Sequence, residues 1–277
     1  MARCIFLALA LFALHAHGME GGRMIAGHHT MLRRTVKYPW DYRVEYLQVS
    51  TAGAYFDAGQ WQRFNTNWPE SRPAADSALM SGIRNGINAW QVYTFPNAKS
   101  TDQKICGNYG TFVAYPYSGR MNFGLFNSWG TAPTNANVDF VATNTKTFVF
   151  CKSVGSDQVQ FGVKQGGGSW TSASWGDSTK TFNYHQHFLI FGYTEGSGGN
   201  PQTNQVYAGT RFYEAGFDFD IPGNLELHLR FVPCVKDNTQ YICEMNSRTL
   251  ISASGTGSLT SGPQVADNYQ AWENYPW

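Results

Sequence analysis

Three carboxylates and a histidine between positions 218 and 228 have the spacing best suited to chemistry in this chain. Phe217, Phe219 and Ile221 alternate with Asp218 and Asp220; Leu225, Leu227, Leu229 and Phe231 alternate with Glu226, His228 and Arg230. Two alternating runs joined by Pro222-Gly223-Asn224 read as a β-hairpin with one apolar and one polar face. A two-residue loop would set Phe219 against Glu226 and mix the faces. A three-residue loop, with Asn224 tolerating a left-handed conformation, keeps them apart. The register is then Ile221 with Leu225, Asp220 with Glu226, Phe219 with Leu227 and Asp218 with His228. Like charges directly opposite destabilise a sheet, so the cluster of Asp218, Asp220 and Glu226, with Glu214 further along the same face, needs an explanation. One is a bound cation such as Ca2+, which takes carboxylate oxygens. Another is a catalytic pair: opposite positions lie about 5 Å apart at Cβ, near the roughly 5–5.5 Å carboxyl separation of retaining glycosidases. The third is a solvated face on which His228 and Arg230 dilute the repulsion.

Two further patterns could carry function. His185-Gln186-His187 would put both imidazoles on one side of a strand, within reach of a shared metal and a third ligand such as His228; the alternative is that they line an outer face ahead of the buried run Phe188 to Phe191. Trp170 and Trp175 lie in Gly166-Gly167-Gly168-Ser169-Trp170-Thr171-Ser172-Ala173-Ser174-Trp175-Gly176-Asp177. So small and polar a stretch reads as a loop that exposes at least one indole, and sugar rings stack on exposed Trp and Tyr while Asn, Asp and Gln read hydroxyls. Trp61, Trp68, Trp129, Trp272, Tyr275 and Trp277 enlarge the aromatic supply, unless they fold back as core plugs.

The elements that must position these residues are mostly strands. Candidates are 43–49, 89–95, 109–115, 121–126, 138–142, 147–152, 159–163, 182–193, 209–221, 225–233 and 239–244, separated by Gly, Asn and Pro clusters. Many short strands at close spacing predict an all-β fold, an antiparallel β-sandwich or jelly roll. One short helix is expected near Pro73 to Asn88, where Leu79, Ile83 and Ile87 recur at four-residue spacing.

The N-terminus reads as a secretion signal. Arg3 precedes an apolar run from Cys4 to Leu14, with small residues at Ala13, Ala16 and Gly18; the run is too short for a membrane span of about 20 residues. The expected organisation is a signal peptide at 1–18, a propeptide at 19–34 if the dibasic Arg33-Arg34 is cut, one large β domain at 35–266, and an aromatic tail at 267–277. Of the five cysteines, Cys4 leaves with the signal. The even set that remains suggests two disulfides in an oxidising compartment, Cys234–Cys243 across a turn at Lys236-Asp237-Asn238-Thr239 and Cys106–Cys151.

Composition narrows the function class. Charged residues make up 14% and aromatics 16%, and the net charge of +1 supplies no basic footprint for nucleic acid. A charge-poor, aromatic-rich body is not that of a disordered chain. The expected protein is secreted and extracellular, lectin-like and non-catalytic, with glycans or glycoconjugates as partners read by Trp170 and Trp175, and Ca2+ as the one cofactor in view. The competing readings are a polysaccharide-cleaving enzyme built on Asp218, Asp220 or Glu226, a structural or adhesive matrix protein, and a membrane-active toxin.

Overall fold

The computed structural model describes residues 37–66, 78–96, 106–108, 112–117, 120–125, 136–139, 143–155, 158–176, 187–195, 200–203, 206–221 and 225–273. The chain divides into two units, Met1–Tyr38 and Pro39–Trp277, and the expected signal and dibasic segments lie outside the described residues. The second unit runs β1 (Tyr42–Val44), β2 (Leu47–Thr51), β3 (Ala54–Gly59), a 3-10 turn (Trp61–Arg63), α1 (Ala78–Gly86), β4 (Ile87–Thr94), β5 (Cys106–Asn108), β6 (Phe112–Tyr117), β7 (Arg120–Leu125) and β8 (Ala136–Asp139). It continues β9 (Thr147–Gly155), β10 (Gln158–Gln165), β11 (Thr171–Gly176), β12 (Phe188–Ile190), β13 (Tyr193–Glu195), β14 (Asn200–Gln202), β15 (Arg211–Ile221), β16 (Leu225–Lys236), β17 (Thr239–Glu244), β18 (Thr249–Gly255), β19 (Ser258–Ser261) and β20 (Gln264–Val265).

Every strand pairing among the described residues is antiparallel. One ladder runs β11–β10–β9–β4–β15–β16–β17–β18. It passes through β18 into β3–β12–β5–β6–β7–β8. The two halves face one another: Phe188 of β12 stacks on Phe231 of β16 at 5.3 Å and meets Phe217 of β15 at 4.7 Å, and Phe123 of β7 lies 4.9 Å from Phe161 of β10. This is a β-sandwich, its core filled by the inward-pointing residue of every second position. Trp61, 1% exposed, is wedged between the halves, so this indole is a core plug and not a surface platform.

The 212–232 hairpin has the register that alternation demands, with Ile221 opposite Leu225, Asp220 opposite Glu226, Phe219 opposite Leu227 and Asp218 opposite His228. The second turn also forms: Lys236 pairs with Thr239 around Asp237 and Asn238, both at positive φ (48° and 58°), a type I′ hairpin. The helix starts and ends inside the expected range, and Ile87 opens β4 instead of closing the helix.

The expected disulfides are not formed. Cys106, Cys151, Cys234 and Cys243 are all buried free thiols. The I′ turn sets Cys234 opposite Tyr241 and Cys243 opposite Val232. The two cysteines are therefore diagonal neighbours, about 7–8 Å apart, beyond the Cα separation of at most about 7 Å that a disulfide bridges without backbone movement. Cys106 and Cys151 stand on facing halves of the sandwich, Cys106 on β5 and Cys151 on β9; facing sheets pack about 10 Å apart.

Burial pushes all four thiols up, Cys234 from 9.0 to about 12, with a smaller opposing pull from Arg43. Thiols in the unfolded chain ionise near 9.0 while the folded Cys234 resists until about 12. The stability conferred by keeping it neutral is thus complete below pH 9 and drains as pH rises toward 12. Under reducing conditions, urea unfolding is expected to show stability falling across that window, with a shallower fall in Cys234→Ala. A fall of equal slope in the variant removes this thiol as the cause.

Candidate functional site

The outward face of β11, β10, β9, β4, β15 and β16 carries a row of polar side chains in direct register. Ser174 stands opposite Gln160, Gln160 opposite Lys152, Lys152 opposite Asn88, Asn88 opposite Asp218, and Asp218 opposite His228. Their sequence neighbours Phe161, Cys151, Ala89, Phe217 and Leu229 point into the core, so the period of two forces this row outward. Six strands spaced about 4.8 Å make the row roughly 24 Å long. Gln160 Nε2 donates to Ser172 Oγ at 3.1 Å, and His228 Nδ1 lies 3.1 Å from Asp218 Oδ1. Near the middle, Asn88 Oδ1 is buried and meets no donor among the described residues.

The structure divides the acidic hairpin face in two. At its open end the side chains of Glu226, His228 and Asp218 are 66%, 54% and 36% exposed, with His228 Nε2 at 3.9 Å from Glu226 Oε2. Glu226 thus stands mostly in the open and not in an enclosed pocket. Asp220 sits opposite Glu226 in the ladder, but its side chain lies outside the described residues. Among the described residues no group of three His, Cys, Asp or Glu is placed to hold a metal ion. His187 Nδ1 is 2.8 Å from Asp57 Oδ2; His185 lies outside the described residues.

The closed end holds Glu214, fully buried, with its Oε2 accepting from Arg230 Nη2 at 3.0 Å and from the Ala271 N–H at 3.4 Å. The segment from Asp267 to Trp272 crosses the sheet here. Arg43 Nη1 donates to the Asp267 and Tyr269 carbonyls at 2.7 and 2.9 Å. Trp40 Nε1 donates to Asp267 Oδ1, and Lys146 Nζ donates to both Glu45 and the Tyr269 hydroxyl. Burial, and then repulsion from Arg230, lower the Arg43 pKa.

Between the polar row and this covered end lies a second aromatic cluster: Trp90, Val92, Phe148, Phe150, Tyr213, Ala271 and Trp272, with Trp170, Tyr46 and Tyr269 against it. Trp90 and Phe150 are register partners, and each ring lies across a glycine on the strand beyond, Trp90 over Gly216 and Phe150 over Gly162. Trp170 is half-buried and stands edge-on to Phe148 (5.4 Å, 87°) and Phe150 (5.3 Å, 76°). Lys164 Nζ sits 5.5 Å from the Trp170 centroid and Lys152 Nζ 5.8 Å from that of Phe150, both within cation–π range.

The structure therefore seats Trp170 on the aromatic cluster, against Phe148 and Phe150. The stretch that reads as a Trp-bearing loop is a strand from Thr171 onward, paired with β10, with Trp175 opposite Val159. Trp68, Trp129, Tyr275 and Trp277 lie outside the described residues. Gln160, Lys152, Lys164 and Asn88 do not stand out in the sequence. Each shares its strand's outward face with Phe, Trp, Val or Gly, so it gains meaning only from the register across strands.

No family model and no curated protein matches the chain. Among solved structures, a Bacteroides ovatus protein provisionally assigned to carbohydrate binding aligns at TM-score 0.43 and 12% identity, over 80% of this chain and 62% of its own. The carbohydrate-binding module, CBM40, of a Ruminococcus gnavus IT-sialidase aligns at TM-score 0.38 and 14% identity, over 65% of this chain and 92% of its own. A heptameric SAP-like pentraxin from Limulus polyphemus aligns at TM-score 0.43 and 10% identity, over 79% and 95%. The chain spans 62% of the length of the Bacteroides protein, and likenesses this distant assign it to no family.

Proposed function

We propose that this is a secreted glycan-binding protein that holds its ligand along the outward row Gln160, Lys152, Asn88, Asp218 and His228, with Trp170 to one side of it against Phe150. The observation that supports this most is the row itself. Amide, ammonium, carboxylate and imidazole groups stand in register on neighbouring strands. Hydroxyl-rich ligands are read by such mixed groups fixed on rigid elements, with an aromatic ring supplying apolar contact. The exposure of Glu226 and Asp218 suits recognition better than acid catalysis.

A broad glycan array probed with the full chain is expected to show selective binding. Trp170→Ala and Asp218→Ala should each weaken it by about tenfold, the worth of one good ring contact or hydrogen bond. Thermal melting of each variant checks that the fold persists. Absence of binding across the array by correctly folded protein rejects the reading.

A further inference from the structure

The covered end of the sheet has the chemistry of a recognition groove. Its floor is charged, with Arg43 from β1 at 1% exposure, fully buried Glu214 from β15, and Arg230 from β16. The Asp267–Trp272 segment lies over it, gripped largely by side chains. Two of its carbonyls accept from Arg43, Tyr269 O also accepts from Arg230 Nη2 at 3.3 Å, and the Ala271 N–H donates to Glu214. Its indole, Trp272, packs 5.4 Å from Phe148 and 6.5 Å from Trp170. An arginine- and carboxylate-lined floor hydrates readily once uncovered, and the apolar hold on the segment comes from Tyr269, Ala271 and Trp272 on the aromatic cluster. The occupant also leaves donors unused: Arg43 Nε and Nη2 and Arg230 Nε are buried with no acceptor among the described residues. A guanidinium presents five donors in a planar fork suited to a carboxylate.

We propose that this trough is a peptide-recognition groove whose partner is an extended aromatic segment carrying a carboxylate, and that Asp267–Trp272 is its resident, incompletely matched occupant. The proposal stands apart from glycan binding and has a separate readout.

The test uses the full-length chain with Trp272→Ala, which weakens the resident, and two fluorescent peptides spanning residues 266–273. One has the natural sequence and the other carries Asn268→Asp and Gln270→Glu. Fluorescence anisotropy is expected to show saturable binding of both, about tenfold tighter to the variant than to the natural chain because more of the groove is open. Asn268 and Gln270 face outward from the floor, so the acidic peptide should bind about threefold tighter than the natural one, through Coulomb attraction to Arg43 and Arg230. No saturable binding to the folded variant, or equal affinity for the two peptides, overturns the proposal. Should Trp272→Ala fail to fold, hydrogen exchange on the natural chain decides. The Ala271 amide is expected to exchange at least about a hundredfold faster than amides of β15 and β16, and equal protection overturns the groove reading.

Discussion

Trp61→Ala is expected to lower the unfolding free energy by about 3–5 kcal/mol, the cost of truncating a buried aromatic. Trp61 sits on a 3-10 turn just after β3 yet is 1% exposed. Its ring stacks on Phe188 at 5.4 Å, is tilted to Phe217 at 5.3 Å and meets Phe219 edge-on at 6.2 Å. Phe188 belongs to one half of the sandwich and the two others to the facing half, so the indole fills the space between sheets. Those walls cannot collapse into the void, because β12 is paired with β3 and β5 and β15 with β4 and β16. Urea titration should show a lower midpoint with an unchanged slope, and Trp61→Phe should recover part of the loss by refilling part of the volume. A loss under about 1 kcal/mol in Trp61→Ala would mean the site relaxes freely.

The contrast between this residue and the 212–232 hairpin shows what was legible in the sequence. In the hairpin, alternating apolar positions from Phe217 to Phe231 and a Pro-Gly-Asn turn leave one register compatible with a single buried face, because a slip of one residue would turn every side chain over. Trp61 has no such local constraint. Its partners Phe188 and Phe217 lie far away in the chain, and a Trp that follows a turn residue such as Gly59 looks the same whether it plugs a core or faces solvent. The cysteines fall between these cases. The Asp237-Asn238 turn was readable, and it carries the pairing arithmetic with it: when 236 opposes 239, then 234 opposes 241, not 243. Trp170 stands out in the sequence, but the Ser- and Thr-rich residues after it look like a loop because a strand takes its conformation from its partner, here β10, more than from its own composition. The polar row was the least legible feature. Asn88, Lys152 and Asp218 come from three separate stretches, and only the β9–β4–β15 ladder aligns them.

Gly216→Ala is expected to cost about 2–3 kcal/mol, at the upper end for overpacking by one methyl group. Neither Gly216 nor Gly162 occupies the left-handed region, so neither glycine is needed for backbone freedom and alanine is conformationally acceptable at both. What forbids a side chain is the ring above. A Cβ on Gly216 would lie 2.0 Å from Trp90 Cζ2, and one on Gly162 would lie 2.2 Å from Phe150 Cε1. Trp90 and Phe150 start from opposed positions on β4 and β9 and lean apart, each over the strand on its own far side. Trp90 cannot lift freely, because the cluster around it includes Ala271 and Trp272. The clash therefore makes a testable signature beyond its size. In Trp90→Ala the ring is gone, so adding Gly216→Ala should then cost little, and the double-mutant cycle should show coupling of more than about 1 kcal/mol. The equivalent change at Gly162 should move Phe150, against which Trp170 stands at 5.3 Å, and so weaken glycan binding from beneath the site. Additive effects in the cycle, or a Gly216→Ala protein within about 0.5 kcal/mol of the natural chain, would show that the ring does not rest on the backbone as the structure places it.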